Sequence, residues 1–144
     1  LQLAELMDGL AGRLKVPPFG SEGDGSYAIT FDGHLAVRCC PEGDGGVRLV
    51  GIVGKPPPDR AARGEALRRL LRASLARAAE PAFVALDAES GELQLHRVLP
   101  PGEDGPAAFE QALGDFLDRL TEWQRRLAAE AVAAPLMPPM MLLR

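Results

Sequence analysis

The chain has 144 residues, of which 47% are hydrophobic and 25% charged, and its net charge is −4. These values describe a soluble globular chain, most simply one domain with a modest core. The acidic balance weighs against nucleic acid or an anionic membrane surface as main partner. No run of about 18 apolar residues occurs, so no membrane span is expected. Leu1 to Val16 carries acids and glycine and lacks the basic-then-apolar layout of a signal peptide.

Leu3, Leu6, Met7, Leu10 and Leu14 recur at helical spacing, which predicts a helix over Leu1 to Lys15, ended by Pro17-Pro18. Tyr27, Ile29 and Phe31 alternate with Ala28 and Thr30 and mark a strand. Asp32-Gly33 then signals a tight turn into a partner strand, His34 to Cys40. Pro41 to Gly46 reads as a second turn and Val47 to Val53 as a third strand, completing an antiparallel meander. Lys55 to Pro58 breaks the sheet, and Asp59 is placed to cap a helix running to Ala79. On that helix Leu67, Leu70, Leu71, Ser74, Leu75 and Ala78 form a single stripe roughly 140° wide. Phe83 to Asp87 and Glu92 to Val98 form a hairpin. Phe109, Leu113, Phe116, Leu117, Leu120, Trp123 and Leu127 define a last helix from Pro106 to about Val132. The expected fold is α+β, with a mostly antiparallel sheet and element order α-β-β-β-α-β-β-α over residues 1–132. Residues 133–144 read as an apolar Pro- and Met-rich tail, expected to be loose.

Catalytic chemistry is hard to find. His34 and His96 show no spacing that would bring them together with a third ligand. Cys39 and Cys40 are adjacent, so on a strand they point to opposite faces. A bridge between them would be strained, a reducing compartment is the natural setting, and one thiol is expected to pack inside. Gly51-Ile52-Val53-Gly54-Lys55 matches a phosphate loop only loosely, because Pro56 follows the lysine. Arg60, Arg63, Arg68, Arg69, Arg72 and Arg77 flank the leucine stripe instead of forming one basic face. That pattern favours stems covering apolar surface over contact with phosphates. No catalytic residue, cofactor or metal is expected.

The apolar faces exceed what one small core needs. They are expected either to meet other chains or to form the monomer core, and periodicity alone does not separate the two.

Taken in order, the motifs resemble the type III secretion chaperones of the Tir chaperone (CesT-like) family. The marks are the leucine-rich first helix, Thr30-Phe31-Asp32-Gly33, the Pro56 to Asp59 segment, and Leu70-Leu71-Arg72-Ala73-Ser74-Leu75. The hairpin Val84 to Leu95 and Trp123-Gln124-Arg125-Arg126-Leu127 complete the set. Ser74 departs from the asparagine common in the family. The resemblance implies a cytoplasmic, non-enzymatic homodimer from a Gram-negative bacterium that binds the N-terminal region of a secreted effector and keeps it extended. It also implies a dimer interface at Leu67, Leu70, Leu71, Ser74, Leu75, Phe83, Val84 and Leu86, and effector contacts at Leu3, Leu6, Leu10, Tyr27, Ile29, Leu35 and Val37. Rival readings are a binding protein of the same fold without a secretion role, a small-molecule binder or enzyme with a deep polar pocket, and a DNA-binding dimer.

Overall fold

The computed structural model describes residues 2–101 and 105–133, so the expected tail lies outside the described residues. Its elements are α1 (Leu3–Leu14), β1 (Tyr27–Phe31), β2 (Leu35–Glu42), β3 (Gly46–Gly54), α2 (Arg60–Ala76), β4 (Ala82–Leu86), β5 (Leu93–Leu99) and α3 (Pro106–Ala133). The expected order holds, with boundaries moved by a few residues.

Local chemistry accounts for the ends. The Asp59 side chain accepts from the Ala62 amide at 3.0 Å and caps α2. Lys15 closes α1 in the left-handed conformation (φ 56°), and its amide reaches the carbonyls of Ala11 and Gly12. Asp32 and Gly33 both have positive φ, 52° and 76°, as a tight hairpin turn between β1 and β2 requires. Pro41 was expected in a turn but lies in β2, paired with Val47. The β1 pairing stops at Cys39. Pro41 is thus beyond the end of β1, where one flank of the strand has no partner for an amide hydrogen.

The five strands form one antiparallel sheet in the order β1-β2-β3-β5-β4. Helices α1 and α3 share a single core with one sheet face. Met7, Cys39, Leu49, Leu95, Phe116 and Leu120 are its fully enclosed members. The crossing of α3 over β3 is close. A Cβ built on Gly51 would lie 2.8 and 2.9 Å from the two methyl carbons of Leu120 and 3.1 Å from the Phe116 ring. At Gly54 (φ 138°) a Cβ would lie 3.0 Å from Leu127. The glycines that loosely matched a phosphate loop therefore make room for a helix.

Helix α2 is attached differently. It buries only Ala66 and Leu70. Charged pairs hold it to α3: Arg69 Nη2 to Glu130 Oε1 at 2.6 Å and Arg77 Nη2 to Glu122 Oε1 at 2.6 Å. The partners advance by equal steps in opposite chain directions, so the two helices run antiparallel.

Candidate functional site

Among the described residues no cluster of metal-ligating side chains comes together. Cys39 is buried, and burial pushes its thiol up to about 12, far from a nucleophilic thiolate. Cys40 is half-buried and also raised, burial again being the main cause. His34 is exposed beside the β1–β2 turn. Arginines of α2 and its C-cap are engaged by carboxylates: Arg68 by Glu65, Arg69 by Glu130, and the C-cap Arg77 by Glu122. Arg77 and Arg126 also lie over the Trp123 ring, at 6.0 and 5.7 Å. These cations organise the protein itself. No described helix is long and apolar enough to cross a membrane.

His96 is the centre of a network that the sequence reading did not anticipate. It lies on the sheet face opposite α3, in register with Val50 on one side and Phe83 on the other. Its ring stacks on Phe83 with centroids 5.4 Å apart. Nδ1 is 3.2 Å from Arg48 Nη1, and Nε2 is 3.0 Å from Gln94 Oε1. Arginine can only donate, so Nδ1 accepts and the proton resides on Nε2, facing Gln94. Arg48 is in turn held by Glu42 at 2.6 Å. Partial burial, then the Arg48 charge, lower the His96 pKa from its ordinary 6.5, while Asp87 opposes the shift.

The unfolded chain therefore binds this proton more readily than the folded one. Stability is full above about pH 6.5 and falls as the pH drops towards the lower folded value. We expect denaturation midpoints measured at pH 7.5 and 5.5 to differ less for His96→Gln than for the unmodified protein. An identical difference in both proteins would remove His96 as the cause.

The remaining candidates are apolar surfaces, and the structure sorts the expected residues by depth. Of the residues assigned to effector contact, Leu3, Leu6, Leu10, Tyr27, Leu35 and Val37 are buried, and Ile29 is half-buried against the same core. Within the single chain they support the surface more than they present it. Three retain an edge at a cleft. Leu3 and Tyr27 floor a cleft of about 250 Å³ between the start of α1 and the β2–β3 turn. Leu6 lines a larger one of about 470 Å³, together with Val47, Leu99 and Phe109.

The residues assigned to the dimer interface behave otherwise. Leu71 and Leu75 are 62% and 67% exposed, and Phe83 and Leu86 are 48% and 44% exposed. Leu67, Ser74 and Val84 are half-buried, and Leu70 is buried. The expected single leucine stripe is in fact two. Ala66 and Leu70 turn inward, while Leu71 and Leu75, one turn apart, face solvent. At about 100° per residue, neighbours such as Leu70 and Leu71 readily fall on different sides.

Edge strands offer a further surface. β1 and β4 end the sheet, and each leaves one row of backbone groups without a strand partner among the described residues.

A comparison with curated protein sequences gives no match. Among solved structures, a chain of the ExsC–ExsE complex superposes with a TM-score of 0.72 at 20% identity, covering 88% of this chain and 97% of that one. The Yersinia pestis type III secretion chaperone SycH, solved with a stable fragment of YscM2, gives a TM-score of 0.62 at 18% identity, covering 83% and 98%. The HopA1–SchA chaperone–effector complex gives 0.61 at 18% identity, covering 83% and 91%. At such identities these likenesses establish the fold. The model of the Tir chaperone protein (CesT) family matches residues 5–124, spanning α1 through most of α3, and the chain belongs to that family.

Proposed function

We propose that this protein is a type III secretion chaperone, which binds the N-terminal region of a cognate effector and holds it extended for delivery to the secretion apparatus. The observation that carries this reading is the family match across the whole sheet and both core helices. The surfaces suit the task. Each apolar side chain docked from a client contributes about 1.5–3 kcal/mol, and ordering the extended chain offsets much of that. The result is firm but reversible capture. The free edge of β1 can accept an added strand through main-chain hydrogen bonds, which tolerate variation in client sequence. Clefts at Leu3 and Tyr27, and at Leu6, lie near the elements first assigned to the client.

In this reading the protein is cytoplasmic, has no catalytic step, and works as a homodimer. Leu71, Leu75, Phe83 and Leu86 are the apolar side chains that a second copy would cover.

The test is co-expression with the N-terminal region of a secreted protein encoded beside this gene. The client is expected to co-purify and to gain protease protection over a discrete stretch. If every such neighbour fails to co-purify, the reading gives way to a binding protein of the same fold without a secretion role.

A further inference from the structure

Arg97 occupies a position where an apolar residue belongs. On β5 the side chains of Leu93, Leu95, Arg97 and Leu99 alternate onto one face, and Leu93 and Leu95 are buried in the core there. Arg97 pairs across the sheet with Leu49 on β3 and Ala82 on β4. Its Nε is buried with no hydrogen-bond partner, and among the described residues its guanidinium makes no ion pair. A desolvated N–H without an acceptor weakens a fold. The core would be better served by leucine at this position.

The guanidinium stands at the junction of two clefts. The first, about 470 Å³, has walls from Val47, Leu99, Phe109 and Ala112. The second, about 380 Å³, carries Glu80, Asp118 and Arg119, the last paired with Glu122 at 2.6 Å, so its lining is mixed in charge. Asp115 borders both clefts, but it accepts from Gln111 Nε2 at 3.3 Å and makes no ion pair with Arg97. A cation with no ion pair among the described residues, on the wall of a cleft that also carries Val47, Leu99, Phe109 and Ala112, fits an acidic side chain followed by a bulky apolar residue.

We propose that Arg97 is a specificity residue for bound polypeptide: it receives a client carboxylate while the first cleft receives the neighbouring apolar side chain. This rests on the chaperone reading and adds to it a sequence preference for acidic-apolar pairs.

The test uses two capped tetrapeptides, Leu-Glu-Leu-Ala and Leu-Gln-Leu-Ala, titrated into isotope-labelled protein and followed by NMR. The unmodified protein should bind the acidic peptide about tenfold more tightly. Arg97→Met should bind both equally, with a melting temperature unchanged or raised because the unpartnered N–H is gone. Asp115→Asn should widen the preference by removing a like charge. Equal binding by the unmodified protein, or a preference that survives in Arg97→Met, overturns the proposal. If the preference is absent while the effector region still co-purifies, only the Arg97 role fails. If both peptides and the effector region fail to bind, the chaperone reading fails with it.

Discussion

Gly51→Val is expected to destabilise the fold by about 1–3 kcal/mol, the usual cost of overpacking a close-packed core, and to lower Tm by roughly 5–10 °C. Strand propensity predicts the opposite, because valine is among the best strand residues and glycine among the poorest. The tertiary contact decides the sign. The Leu120 methyls lie 2.8 and 2.9 Å from the new Cβ, and both Leu120 and Phe116 are fully buried, so neither has room to retreat. Helix α3 must then lift from the sheet it covers. Gly64→Ala provides the contrast. Gly64 lies within α2, and a Cβ there meets nothing nearer than an Arg68 guanidinium nitrogen at 4.0 Å. That change should stabilise by about 0.5–1 kcal/mol through helix propensity. Thermal unfolding of the two variants reads the pair, and a Gly51→Val protein as stable as the parent would mean that α3 does not cross the sheet as described.

With α2 and β4 as the proposed dimer interface, Leu71→Glu/Leu75→Glu is expected to give a folded monomer. Both side chains are more than half exposed in the single chain, so carboxylates at these positions leave the monomer core untouched. Across a symmetric interface each substitution occurs twice and would bury unpaired charge. Several kcal/mol are lost, which weakens association by about a thousandfold or more. Light scattering should report the mass of one chain, with an unchanged circular dichroism spectrum. Leu70→Glu should behave differently: Leu70 is 5% exposed, and a charge there should unfold the protein. A double variant that still runs as a dimer would remove this face as the interface.

Much of the architecture was legible in the residues. Period-two alternation in Tyr27 to Phe31, the Asp32-Gly33 turn and the Asp59 cap are local signals, and each appears in the structure where expected. The depth of the apolar residues was not legible in the same way. Leu3, Leu10, Leu35 and Val37 carry the same periodic signal whether they face a client or α3, and the structure places them in the core. β5 does carry a local signal of this kind. In Leu93, Leu95, Arg97 and Leu99, a charge interrupts an apolar alternation, and that charge lies in the wall of a cleft.

Element order and the family resemblance follow from local signals, because periodicity, turn residues and caps act over a few neighbouring positions. Which face of α2 is exposed, why Gly51 must be glycine, and where Arg97 sits emerge only in the folded chain. Those properties depend on α3, which is distant in sequence and defines the interior only once it has packed across the sheet.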